Sequence, residues 1–459
     1  MNNSNLIRIV LLMLATSLGY LVVQLDVSIV NISLSNMQES LGAKLSELQW
    51  IVNIYVLLFA ATLLSSGVLG DRYGSKRLLI YGYSIFLLGS VLCAVSPTIT
   101  IMLIARAIQG IGAAIIVPNS LAIINKSFID DKKLRTTLIT VWMSFGGVAL
   151  TSGPILGGLI TSILSWHYIF LINIPICLLG IYITWKCVKK DEIVKTQKND
   201  FLGQFLIFLF SLAFLIFIID FQNFSAMHLA LISLFIIGIF YLFILREKTF
   251  SSPAIPLDIF KNFELQRALA YGFIVNYIYF GIVFFISLYF INVMKLSPIE
   301  AGLAFIPFTI PLVIANIISG KLSNAYNPLV PINIGIFFMI VGMVALALPI
   351  TGTSYSYMLP ALLTISFGVG LITPMITSIA MLSIEQSKSG MISAVVNFFR
   401  QISGAFGVAI FGIFVDQAIK HNSYVYFQYI LLISAALFLL SYLYFWFKSK
   451  KYHVINALN

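Results

Sequence analysis

Apolar runs of about twenty residues recur along the whole chain, each closed by a short cluster of Gly, Pro, Ser, Asn or charged residues. A helix rises about 1.5 Å per residue, so such a run crosses the roughly 30 Å hydrocarbon core of a bilayer. The pattern predicts fourteen helices, at 7–32, 50–69, 78–96, 99–122, 137–164, 167–186, 201–220, 226–245, 266–292, 300–320, 329–348, 355–378, 394–416 and 424–447. A membrane barrel is excluded, because its strands alternate apolar and polar positions over only about ten residues. The first run, reaching about Ile32, exceeds a signal-peptide core and lacks a cleavage pattern of small residues nearby, so it is expected to remain as the first helix. The expected class is an all-α polytopic membrane protein in which every backbone polar group is satisfied inside a helix.

Composition agrees with the pattern. Of 459 residues 60% are hydrophobic and 9% charged, where soluble chains carry about a quarter charged residues. The formal charge of +11 then needs a cause other than nucleic acid, and loop position supplies it. Of 27 Lys and Arg, 22 fall on the side that holds both termini, 3 (Lys44, Lys295, Lys420) on the other, and Arg106 and Arg400 lie inside helices. Basic loops stay cytoplasmic, so both termini are assigned to the cytoplasm of a multi-pass protein of the cell membrane.

The segment GVLGDRYGSKRLLIYG (67–82) aligns without gaps to GKLSNAYNPLVPINIG (320–335), pairing Gly67 with Gly320, Leu69 with Leu322, Tyr73 with Tyr326 and Gly82 with Gly335, while Ser66 and Ser319 extend the match. The two copies lie eight helices apart, an even number, so they share one orientation in the membrane. The implied organisation is an N-terminal six-helix bundle (1–186), a linker (187–200), an inserted helix hairpin (201–245), a second linker (246–265) and a C-terminal six-helix bundle with a short tail (266–459). Two parallel bundles around a central site is transporter architecture. The copies differ in charge: Asp71 and Arg72 of the first are Asn324 and Ala325 in the second.

On these residues the chain resembles the major facilitator superfamily, and within it the fourteen-helix branch of drug:proton antiporters. LDVSIVNISLSNM (25–37) is similar to that branch's first-helix signature through Asp26 and Asn31, with Ser35 where a proline is usual. The loop GVLGDRYGSKR matches at Gly67, Asp71, Arg72, Gly74 and Lys76, and ARAIQGIGAA matches the fourth-helix pattern at Arg106, Gln109, Gly110 and Gly112. SGPILGGLI resembles the fifth-helix antiporter motif at Gly153, Pro154, Gly157 and Gly158; WHYIFLINIPI resembles the start of the sixth helix and NFFRQISGAFGVAIFG, with Arg400, the thirteenth. The resemblance covers nearly the whole chain. It implies the major facilitator fold, proton-driven multidrug efflux, and a part for the fifth-helix motif in antiport.

Two intramembrane charges carry the candidate chemistry. An arginine in a membrane helix either pairs inside the bundle as structure or marks a functional site, and its insertion cost favours the second. Asp26 lies about seven residues before the outer end of the first helix and Arg106 about seven after the outer start of the fourth, so both sit roughly 10 Å deep and are placed to meet. In that setting a proton or a cationic substrate competes with Arg106 for the Asp26 carboxylate. Gln24, Ser28 and Asn31 share a different face of the first helix, so that helix is not directed at lipid, and Gln24 and Asn31 are assigned to a cavity. Gly146, Ala149, Gly153 and Gly157 form a small-residue stripe, read either as tight packing or as a coupling device, and Pro154 adds a bend. Asp71, Arg72 and Lys76, flanked by Gly67, Gly70 and Gly74, read as a cytoplasmic latch over ordinary loop charges. Arg400 either snorkels to the interface or faces a cavity.

Cys93, Cys177 and Cys187 have no metal or redox spacing and are read as packing residues; the four histidines are scattered near helix ends. Asp220, Glu300 and Asp416 fall at outer helix ends as rim charges. Aromatic residues at 14% suit a soft cavity for flat cations. With no Ser/His/Asp cluster, metal-ligand set or phosphate loop, no enzyme, cofactor or metal is expected. The expected function is a monomeric secondary transporter, driven by the proton gradient, whose partners are a small-molecule substrate, protons and the lipid bilayer. An exporter dedicated to one endogenous metabolite, lipid or siderophore is the alternative.

Overall fold

The computed structural model describes the backbone of residues 3–128, 131–189, 200–221, 224–251, 253–348, 355–383, 389–420 and 425–458. Among them are fourteen helices long and apolar enough to cross a membrane. We label these α1 (Asn3–Leu41), α2 (Leu45–Tyr73), α3 (Ser75–Ala94), α4 (Ile99–Ser127), α5 (Lys132–Ile163), α6 (Tyr168–Cys187), α7 (Phe201–Ile219), α8 (Ala226–Thr249), α9 (Phe263–Val293), α10 (Pro298–Ala325), α11 (Leu329–Ala347), α12 (Tyr355–Leu382), α13 (Ser389–Lys420) and α14 (Val425–Leu458). The fourteen-helix expectation holds, and no strand occurs among the described residues.

Helix ends depart from the hydropathy boundaries because apolarity marks membrane depth and not where backbone hydrogen bonding stops. α1 continues past Ile32 to Leu41, carrying Ser33, whose hydroxyl lies 2.9 Å from that of Thr161 on α5. Starts follow side-chain caps: Thr98 accepts from the Ile101 N–H, Asp131 from Leu134, Asp200 from Gly203 and Ser225 from His228. Ser297 and Glu300 form a reciprocal capping box at the head of α10, which gives that rim acid a local partner. α6 is interrupted at Ile172, and α9 ends in a π turn over Tyr289–Val293.

Contacts divide the chain into two compact units, residues 1–256 with 286–305, and residues 257–285 with 306–459. In the first, α1 packs on α5 and α6, α4 on α2 and α3, and the hairpin α7–α8 leans on α2. In the second, α12 packs on α10 and α11, and α14 on α11 and α13.

The hairpin is built unlike the rest. α8 turns Leu231, Leu234, Phe235, Ile237, Tyr241 and Leu242 outward and buries chiefly Ile239, Phe243 and Glu247, the composition of a lipid-facing helix. α9, by contrast, buries every residue from Gly281 to Phe290. An apolar helix is therefore peripheral or central according to its neighbours, and its hydropathy does not say which.

Candidate functional site

The polar centre of the first unit forms where α1, α2, α3, α4 and α6 converge. Asp26 and Arg106 are 0% and 1% exposed, and Arg106 Nη1 donates to Asp26 Oδ2. The two side chains that the depth argument placed side by side are thus an ion pair. Arg106 also donates from Nε to the Ile51 carbonyl at 3.1 Å and from Nη1 to Gln109 Oε1 at 2.8 Å. Its guanidinium lies over the Tyr55 ring, 4.3 Å from the centroid, with Phe170 at 5.9 Å. These contacts replace the water that a buried cation loses.

The other oxygen of Asp26 is held as firmly. Oδ1 accepts from Gln109 Nε2 and from Asn173 Nδ2, both at 3.1 Å. The same two amides reach Ser90 Oγ at 2.8 and 3.3 Å, closing a ring of side chains from four helices. Cys93 donates its thiol to Gln109 Oε1 at 3.3 Å, so this cysteine belongs to the network in addition to filling space. The arrangement presents one carboxylate with a cation on one oxygen and neutral amides on the other. A proton or a competing cation at Asp26 would release Arg106 from it while leaving the guanidinium its carbonyl, amide and ring contacts.

The remaining candidates fall elsewhere. Asn31 is buried and donates to the Val27 carbonyl at 3.0 Å, while Gln24 is half-buried and its carbonyl accepts from Ser28 Oγ at 3.2 Å; neither joins the Asp26 ring. Arg400, half-buried on α13, belongs to the second unit. The glycine stripe of α5 lies against α1: a Cβ on Gly153 would stand 1.8 Å from Ser28 Oγ, and one on Gly157 would stand 2.8 Å from the Ile29 carbonyl oxygen. Gly158 and Pro154 face the head of α10 instead, where the carbonyls of Pro298 and Pro154 would lie 2.3 and 2.5 Å from a Cβ on Gly158 and on Gly302. This backbone-to-backbone approach is what small residues permit.

At the link between α2 and α3, Gly74 adopts φ 93°, a conformation that strains any residue with a Cβ, and its N–H returns to the Gly70 carbonyl at 2.9 Å. Lys76 caps the end of α6 by donating to the carbonyls of Trp185 and Val188. Arg72 is exposed beside the Tyr73 ring. Gly67 has open space around it and brings no helix close. The Asp71 side chain lies outside the described residues.

A family model described as Major Facilitator Superfamily matches residues 16–408. The chain belongs to the Major Facilitator Superfamily. It is therefore a transporter and a multi-pass membrane protein, and not an enzyme. Among its superfamily relatives, a drug efflux pump of Mycobacterium tuberculosis, JefA, is 30% identical over 409 residues, covering 88% of this chain and 80% of its own. A methylenomycin A resistance protein of Bacillus subtilis is 29% identical over 408 residues, 88% of this chain and 87% of its own. A crystal structure of an auto-inhibited POT family peptide transporter superposes with TM-score 0.68 over 96% of both chains at 13% identity, a likeness of superfamily fold.

Sequence reading found Asp26, Arg106 and Gln109 and missed Ser90, Asn173, Tyr55 and the Ile51 carbonyl. Ser90 and Asn173 left a signal, being polar residues inside apolar runs. The Ile51 carbonyl left none, because only chain geometry selects one backbone oxygen from many.

Proposed function

We propose that this protein is a proton-coupled exporter of small amphipathic or lipophilic compounds, cations among them, working as a monomer by alternating access in the cell membrane with both termini cytoplasmic. The observation that carries this reading is the buried Asp26–Arg106 pair and its ring of amides, a carboxylate placed where proton and substrate compete for it. The names of the relatives, a drug efflux pump and a methylenomycin A resistance protein, support export of drug-like compounds. The skew of Lys and Arg supports the orientation.

In this scheme Asp26 takes the proton and gives it up in exchange for substrate. Gln109 and Asn173 orient Oδ1, and Arg106 holds Oδ2 until it is displaced. The α5 stripe with Pro154 serves as a joint that slides on α1, and Arg72 and Lys76, with Asp71, latch one of the alternating states. The bundles 1–186 and 266–459 are the moving bodies, joined through the hairpin 201–245 and its two linkers. Gln24 and Asn31 line the substrate path in the first unit.

Everted vesicles carrying the wild-type chain are expected to release protons when a cationic lipophile is added, and Asp26→Asn to abolish that release. Coupled efflux that survives intact in Asp26→Asn refutes the assignment. A second reading, a pump dedicated to one compound, is favoured by the single-compound name of the methylenomycin relative. A resistance panel in an efflux-deficient host separates the two: protection against several unrelated amphiphiles supports the first, and protection against a single compound the second.

A further inference from the structure

The open end of the hairpin buries two acids, beside a half-buried cation, that the transport scheme does not use. Asp200 caps α7, and its Oδ1 accepts from the Gly203 N–H at 3.0 Å and from Arg246 Nε at 2.9 Å. The Arg246 guanidinium is stacked on Phe250, 3.8 Å from the ring centroid, which keeps it at the end of α8. Glu247, the next residue, turns inward, and its Oε2 accepts the Ile255 N–H at 2.9 Å. One oxygen of each acid is thereby satisfied.

The other two are not. Asp200 Oδ2 and Glu247 Oε1 are buried and have no hydrogen-bond partner among the described residues, in residues only 2% and 4% exposed. They converge on one place: a Cβ on Gly203 would stand 2.6 Å from Oδ2 and 2.8 Å from Oε1. The absent side chain of this glycine is what lets both oxygens come this close to it.

Two ionised carboxylates and one guanidinium leave an uncompensated negative charge, which is costly in a buried place. Two buried carboxyl groups at close quarters do not both stay ionised, and a single proton serves both. A metal ion fits less well, because calcium takes about 6–8 oxygen ligands and magnesium about six. Two unpaired oxygens meet at Gly203, and among the described residues no three His, Cys, Asp or Glu side chains come together.

The geometry points to a proton-binding site, distinct from Asp26, in which Asp200 and Glu247 share one proton at the root of the hairpin. The proton comes from water on the side of the basic loops, forms an O–H bond on Glu247 Oε1 and is donated to Asp200 Oδ2. The group of Asp200, Glu247 and Arg246 passes from a charge of −1 to neutral, and nothing is oxidised. The charged groups acting on Glu247 are Asp200 and Arg246; α2, which packs on α7 here, contributes the neutral Ser65, bonded to Gln204. Because Glu247 also holds the Ile255 N–H, the site ties the segment following α8 to the hairpin.

Infrared difference spectra of the purified full chain, taken between alkaline and neutral pH, test this directly. The carbonyl band of a protonated carboxyl group is expected in the wild type and in Asp26→Asn, lost in Glu247→Gln and displaced in Asp200→Asn, where asparagine still caps α7. The Asp26→Asn sample separates this site from the transport scheme, since either can fail alone. The wild-type melting temperature should fall as the proton leaves at alkaline pH, and that of Glu247→Gln, which mimics the protonated acid, should not follow. An identical band in wild type and Glu247→Gln overturns the proposal. So does a rise in wild-type melting temperature, absent in Glu247→Gln, when sodium or calcium chloride replaces choline chloride at constant ionic strength, since a metal site would then be present.

Discussion

Helices α2–α4 and α10–α12 make the same contacts in different chemistry. Ser66 donates to the Ala114 carbonyl at 2.6 Å, and its repeat partner Ser319 donates to the Leu371 carbonyl at 2.6 Å. A Cβ on Gly112 would stand 2.5 Å from the Phe86 nitrogen, and one on Gly368 would stand 2.9 Å from that of Met339. Gly89 meets the Gln109 nitrogen as Gly342 meets that of Ile365. The glycine contacts set Gln109 against Ile365, Arg106 against Leu362 and Ser90 against Met343, with the serine acceptors one residue out of that register. Tyr55, whose ring holds the Arg106 guanidinium, corresponds to Phe308, whose ring stacks on Tyr279 with centroids 5.4 Å apart. Close helix approach thus rests on small residues and single hydroxyl bonds present in both copies. The ionic network is laid over that frame in the first copy, and the second keeps the frame with apolar side chains.

Exchanging the differing residues should have the largest effect. Arg106→Leu, which writes the second copy's residue into the first, leaves Asp26 buried without its cation and is expected to cost about 3–5 kcal/mol of stability along with all coupled efflux. The reverse change, Leu362→Arg, strands a cation and is expected to lower membrane insertion by about 2.5–3.5 kcal/mol. Thermal melting and expression level report both. A folded, active Arg106→Leu protein would show that the pair is dispensable.

The shared frame predicts equal and smaller losses. Gly112→Ala and Gly368→Ala each push a methyl group into a backbone nitrogen and are expected to cost about 1–3 kcal/mol. If thermal melting finds one copy tolerant and the other not, the two frames are not equivalent. Ser66→Ala and Ser319→Ala each remove one hydroxyl bond, for an expected loss of about 0.5–1.5 kcal/mol, again alike in both copies. Their activity should persist, because neither serine touches Asp26 or Arg106.

The link after each copy's first helix shows how the same fold tolerates different local chemistry. The first turns through Gly74 at φ 93°, whereas in the second Asn327 Oδ1 accepts the Leu329 N–H at 2.9 Å and Pro328 precedes α11. An Asn-Pro turn achieves with a side-chain acceptor what glycine achieves with backbone freedom. The alignment of the two links could be read from the sequence; their two turn mechanisms could not.

Much of the candidate site was legible because axial rise along a helix is regular: counting residues from a helix end places Asp26 and Arg106 at one depth. Asn173 and Ser90 were not placed, since joining them to Asp26 requires knowing how α3 and α6 are rotated about their axes. Asp200 and Glu247, 47 residues apart in the chain, fall in two separate linkers by sequence until Gly203 is seen between them. Hydropathy, charge bias and the internal repeat are one-dimensional records of the chain, and by themselves they determined the fourteen spans and the alignment of the two links. Tertiary structure decided which polar side chains meet, because those pairings depend on helix rotation and close approach, and the cost of burying an unpaired charge makes them matter.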